Sequence, residues 1–268
     1  MRTSGVSFSI ARHAAWAPAL TTPQAWNEWA NAAEAAGAAA DIGQGAEPAL
    51  RAMPPMLRRR AGFLGKMALE VAYECLAGAG GVPSVFCSRH GDVGRAVDLL
   101  GDLAQGNPLS PTAFGTAVHN ASAGLFSIAR ADRANHIALA AGHSTVEHAV
   151  IEACGLLADG APEVLLVSSD CPLPTPFGGF QDCAEQPHAW AWLMVPAGAA
   201  ALSLHWQADG ADGRADGRTD SRGDSRGDVP ANRIALPASL DIWRFYLGGK
   251  ERFERVANRR RWSWTRHA

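Results

Sequence analysis

The stretch HIALAAGHSTVEHAV, His136 to Val150, decides the reading of the whole chain. An apolar run from His136 to Ala141 stops at Gly142-His143-Ser144. Val146, Ala149, Val150, Ala153, Cys154 and Leu157 then recur at i, i+3, i+4 and i+7, the stripe of a helix with one buried face. A strand that turns sharply into a helix is where many hydrolases hold a nucleophile, which makes Ser144 a candidate. The G-x-S-x-G elbow, however, needs glycine two residues either side of the serine, and the β-branched Val146 stands at the second of those positions. The competing reading makes Ser144 a helix cap, with Glu147 three residues on completing a capping box. A hydrolase would also need an acid and a base from downstream, and Asp170 with His188 or His205 are available.

Working outward, Asp159-Gly160 ends the helix and Glu163 to Ser169 is an apolar run suited to a strand covered on both faces, so strand, helix and strand form a right-handed βαβ unit. Upstream, Gly5 to Ile10 alternates as a strand, Thr21-Thr22-Pro23 opens a helix to Ala36, and Gly37 to Leu50 is a Gly/Ala-rich loop. One helix is expected from Met56 to Ala77, led by Arg58-Arg59-Arg60, then a strand from Pro83 to Cys87 ending in Ser88-Arg89-His90-Gly91. The next helix is expected to turn Val93, Val97, Leu100 and Leu103 inward. A turn-rich loop, Asn107 to Gly115, leads to a small-residue helix over Val118 to Ile128, in which His119 and Asn120 hold the start by hydrogen bonding. Residues 189–195 and 200–206 flank Pro196-Ala197-Gly198-Ala199 as an antiparallel hairpin. Residues 210–228 repeat Asp, Gly, Arg and Ser with almost no apolar content, the composition of a disordered loop. A helix over Ser239 to Leu247 precedes a basic tail in which seven Lys/Arg oppose two Glu.

The 268 residues are 47% hydrophobic and 19% charged, enough to bury a substantial core. A net charge of -2 sets nucleic-acid binding aside. The five cysteines include no CxxC, no cluster has metal-ligand spacing, and neither a dinucleotide fingerprint nor a Walker sequence occurs, so no metal or cofactor is expected. Neither a signal-peptide core nor a membrane-length apolar run is present, which makes the expected location cytoplasmic.

The segment Leu109 to Asp170 resembles the β-ketoacyl synthases, the condensing enzymes of fatty-acid and polyketide synthesis. The resemblance rests on the Ser110-Pro111-Thr112-Ala113-Phe114 loop, the Asn120-Ala121-Ser122-Ala123-Gly124 helix start, and a strand whose Ala140-Ala141-Gly142 aligns with the family's Thr-Ala-Cys. It implies a thiolase-like α/β fold, here one N-terminal half with a layered sheet and covering helices, incomplete beside a full condensing enzyme. It also puts Gly142 at the catalytic cysteine position, where a helix N-terminus would lower a thiol pKa. The family's two later histidines have no counterpart, since only His267 follows residue 206. Arg58-Arg59-Arg60 and Ser88-Arg89-His90-Gly91 are similar to the short, cysteine-lacking chain-length-factor type that accompanies ketosynthases in aryl-polyene and xanthomonadin-type pigment clusters.

The resemblance therefore implies a noncatalytic subunit that pairs with a full-length ketosynthase as a heterodimer and serves an acyl carrier protein. Two alternatives stand beside it, a serine hydrolase using Ser144 and a free-standing acyl-carrier-binding scaffold. The degenerate site is expected at Gly142 with His143 and Ser144. His143 is the side chain at the turn that exchanges protons near neutral pH, so a residual decarboxylase role competes with a surface or interface one. Partner or carrier contacts are expected from Arg259, Arg260, Arg261, Trp262 and Trp264, a set that also suits an anionic membrane surface or the chain's own flank. The expected organisation is a ketosynthase-like half over 1–207, a disordered linker over 208–229, and a C-terminal helix with basic tail over 230–268.

Overall fold

The computed structural model describes residues 4–36, 42–209 and 235–267. In chain order the elements are β1 (Ser4–Trp16), α1 (Pro23–Ala36), α2 (Pro55–Arg58), α3 (Phe63–Leu76), β2 (Ser84–Cys87), α4 (Val93–Ala104), α5 (Pro111–Ala117), α6 (Ala121–Arg130) and β3 (His136–Leu139). They continue with α7 (Thr145–Ala158), β4 (Val164–Asp170), β5 (His188–Pro196), β6 (Leu202–Ala208), α8 (Ala238–Leu247), β7 (Arg252–Ala257) and β8 (Arg260–Arg266). Among the described residues eight strands form one mixed sheet in the order β3-β2-β4-β5-β1-β6-β8-β7, parallel at β3-β2-β4 and antiparallel beyond. The fold is mixed α/β, as expected.

The central strands sort their side chains by face, because successive residues of a strand point to opposite sides. On β5, Trp190, Trp192 and Met194 join one core with Val146, Ala149, Val150 and Ala153 of α7 and Leu240, Ile242 and Trp243 of α8. Ala189, Ala191 and Leu193 face the other core, with Leu64, Met67, Ala68 and Val71 of α3. β4 divides in the same way, Val164 and Leu166 on the first face and Leu165 and Val167 on the second. Small residues let α3 lie close on its side; stacked and edge-on tryptophans fill the wider gap under α8, with the Trp190 and Trp243 rings 5.5 Å apart.

Several sequence expectations change. The helix expected from Met56 to Ala77 is two, α2 and α3, separated at 59–62. Part of the expected loop at Asn107 to Gly115 is helix α5, whose Ser110 Oγ accepts from the Ala113 N–H at 3.2 Å. β5 and β6 do not pair as a hairpin: the thirteen-residue β1 lies between them and bonds to both. On α4 no residue is buried, and Leu100 and Leu103 are 57% and 59% exposed rather than turned inward. The basic tail is a pair of strands, β7 and β8, that extends the same sheet, with Trp262 and Trp264 in its core. The loop expected at 210–228 lies outside the described residues. Among the described residues no helix is long and apolar enough to cross a membrane.

The close contact of α3 with β5 is tested by Ala191→Leu. Overpacking a filled core costs about 1–3 kcal/mol, to be read as a lower urea midpoint with an unchanged slope.

Candidate functional site

β3 ends at Leu139, and the chain turns through Ala141-Gly142-His143-Ser144 into α7. Gly142 has φ 58°, a left-handed conformation that glycine adopts without penalty. A Cβ built there would have Asn258 Nδ2 as its nearest neighbour, at 3.8 Å, so the turn has room for a side chain. Thr145 secures the turn: its hydroxyl oxygen accepts from the Ala141 N–H at 3.0 Å and donates to the Gly142 carbonyl at 2.8 Å.

Ser144 has neither of the roles weighed for it. Its side chain makes no capping hydrogen bond, and it is fully buried. Its Oγ donates to the Ala141 carbonyl at 3.3 Å and accepts from Asn258 Nδ2 at 2.7 Å, so no base is placed to activate it. His188, a candidate base, is committed to Ser239, and Asp170 to the end of β2. Glu147 completes no capping box. It is fully buried and paired with Arg255 Nη1 at 2.6 Å, and the same nitrogen donates to the His143 carbonyl at 2.8 Å. Arg255 and Asn258 come from the segment taken for a tail. Asn258 and Arg259 both have positive φ, 53° and 58°, and form the two-residue turn between β7 and β8. The hairpin so made seats Asn258 Nδ2 3.0 Å from the Ala141 carbonyl, directly beside Gly142.

On the other side stands Arg89, from the Ser88-Arg89-His90-Gly91 end of β2. Its two terminal nitrogens each donate to Asp182 at 2.7 Å, a bidentate pair that holds the Asp182 carboxyl below the usual range and raises the guanidinium. His143 Nε2 lies 3.1 Å from Asp182 Oδ2 and 3.2 Å from Arg89 Nη2, with the side chain about half exposed. Asp170 accepts from the Arg89 N–H at 2.7 Å and the Ser88 hydroxyl at 2.9 Å, and burial pushes its pKa up to about 6. Burial, reinforced by Arg89, lowers His90. His119 holds the start of its helix as expected, against the Ser88 carbonyl at 3.1 Å, whereas Asn120 makes no side-chain cap.

These groups surround a cavity of about 260 Å³ that Gly142, His143, Arg89, Asp182 and Ser239 line. Cys171 and Cys183 line it too, yet burial raises both thiols to about 12, so neither is a thiolate at neutral pH. Of the expected contact residues, Trp262 and Trp264 are fully buried and cannot meet a partner; Arg259 and Arg260 are exposed and Arg261 half-buried, paired with Asp209 at 3.2 Å. Among the described residues no group of three metal-capable side chains occurs. The residues missed in the sequence are Asp182, Arg255, Asn258 and Ser239. One signal was present: Trp262 and Trp264 alternate among the arginines, the pattern of a half-buried strand.

A family model described as the β-ketoacyl synthase N-terminal domain matches residues 26–265. No curated protein sequence matches. Among solved structures, a chain from the complex of a ketosynthase (ApeO) with its chain length factor (ApeC) from Xenorhabdus doucetiae is 25% identical, with 97% of this chain and 100% of that chain covered and a TM-score of 0.79. The ishigamide ketosynthase/chain length factor is 16% identical, with 77% and 69% covered and a TM-score of 0.61. A β-ketoacyl synthase from Burkholderia phymatum STM815 is 12% identical, with 76% and 65% covered and a TM-score of 0.59.

Two outcomes follow from this geometry. Arg255→Leu strands a buried carboxylate and costs about 3–5 kcal/mol, while the double variant with Glu147→Leu regains most of it, as urea unfolding will show. The folded Asp170 carboxyl titrates near 6 rather than the ordinary 3.8, so the native state holds the extra proton between those values and stability falls as pH rises through that window. Asp170→Asn flattens that slope in a series of unfolding midpoints against pH.

Proposed function

The chain belongs to the β-ketoacyl synthase family, which it matches through the N-terminal domain, and on that premise we propose that it is a chain-length-factor-type subunit. It pairs with an active ketosynthase in polyketide or fatty-acid-like synthesis of the aryl-polyene kind and forms no carbon–carbon bond itself. Gly142 carries this reading. The position that needs a thiolate has no side chain, the hydroxyl two residues on is buried without a base, and the nearby thiols stay protonated.

Two surfaces support a partner. Leu100, Leu103, Phe114 and Val118, on and beside α4 and α5, are 57%, 59%, 66% and 44% exposed, a grouping of apolar side chains that isolated soluble chains rarely leave open. β3 is a sheet edge with half-exposed side chains, ready to be covered. A ketosynthase seated on α4 and α5 would bury these apolar side chains. Arg259 and Arg260, exposed at the hairpin tip, suit the acidic surface of an acyl carrier protein. Such a complex works in the cytoplasm.

Co-expression with a candidate ketosynthase is expected to yield a complex that survives size exclusion, while the chain alone makes no condensation product from acyl and malonyl carriers. Leu100→Asp with Phe114→Asp is expected to weaken the complex at least tenfold, or about 1.4 kcal/mol, in titration calorimetry. Condensation by this chain without a ketosynthase would defeat the proposal.

A further inference from the structure

The cavity that Gly142 lines is also lined by Ser239, in the first turn of α8. Ser239 Oγ lies 2.7 Å from His188 Nε2, and His188 Nδ1 lies 2.7 Å from the Gln186 carbonyl. A carbonyl only accepts, so Nδ1 carries the ring proton, Nε2 holds the lone pair and the serine hydroxyl donates to it. Burial takes the His188 pKa down to about 4, which keeps the ring neutral and this tautomer in place at pH 7. Ser239 meets the cavity, while His188, fully buried at the start of β5, stands behind it. Pro237 at the N-cap offers no side-chain cap, and the N–H groups of Ala238 and Ser239, residues that both line the cavity, make no hydrogen bond among the described residues.

The hydroxyl of a cavity-lining residue, a base bonded to it in the accepting tautomer, that base oriented by a third group, and two backbone donors alongside that bond to no described residue are the parts of an activated serine. We propose that Ser239 is an acyl-accepting nucleophile, with His188 as its base, for thioesters or activated esters whose acyl group fits this cavity. The Ser239 oxygen bonds to the acyl carbon as its proton passes to His188 Nε2. The carbon–sulfur bond breaks, and the departing thiolate takes that proton, leaving an acyl-serine and a free thiol. Water then adds to the ester carbonyl, His188 accepts and returns a proton, and a carboxylic acid leaves. The pair also ties α8 to β5, alongside Trp190 Nε1, which donates to the Ser239 carbonyl at 3.2 Å.

Reaction with a fluorophosphonate probe, and separately with an acetyl thioester of N-acetylcysteamine, separates chemistry from tethering. The full-length protein is expected to gain one adduct, mapped by peptide mass spectrometry to Ser239, absent in Ser239→Ala and retained in Ser144→Ala. His188→Gln keeps a donor and an acceptor for the tie but cannot relay a proton, and is expected to label at least tenfold more slowly; where that variant does not fold, Ser239→Ala carries the comparison. Wild-type protein left unmodified at Ser239, or a folded His188→Gln labelled at the wild-type rate, overturns the proposal. Loss of this activity in a chain that still pairs with a ketosynthase would leave the subunit role intact.

Discussion

A carboxylate buried in the first turn of a helix has to find a cation. Glu147 is wholly enclosed at the start of α7, and its partner, Arg255, comes from 108 residues further along. Desolvating a carboxylate without a partner costs several kcal/mol, so this one contact obliges the C-terminal strands to return over the turn at Gly142. Asn258, two-residue hairpin turn and all, follows from that return and bonds to the Ala141 carbonyl and the Ser144 hydroxyl.

The turn at Gly142 is thus held from two directions. The Arg89–Asp182 fork anchors the segment after β4 on one side, and Arg255 with Asn258 anchors the hairpin on the other. Gly142 holds a left-handed backbone with open space around it. Ser239, which lines the cavity, and His188 behind it belong to different elements altogether.

The strand–turn–helix–strand core from His136 to Asp170 was legible because its apolar periods switch cleanly from two to 3.6. The position of Gly142 in it, and the turn it makes, were legible for the same reason. The outward face of α4 was not: an amphipathic pattern says that one face is apolar and is silent about what covers it, and Leu100 and Leu103 stay more than half exposed among the described residues. β5 and β6 were taken for a hairpin because neighbours in sequence usually pair, but β1 is long enough to enter between them. The arginines around Trp262 and Trp264 drew attention away from their alternation. Asp182, Arg255 and Asn258 act only through contacts across the fold, and no local spacing announces such contacts.

Because β7 and β8 follow the other described strands in sequence and lie together at one end of the sheet, beyond β6, the other six strands complete their ladder without them. A ribosome releasing the protein N-terminus first therefore lets most of the sheet assemble while Glu147 still waits for its arginine. A chain halted before residue 255 would leave Glu147 at the head of α7 without its arginine.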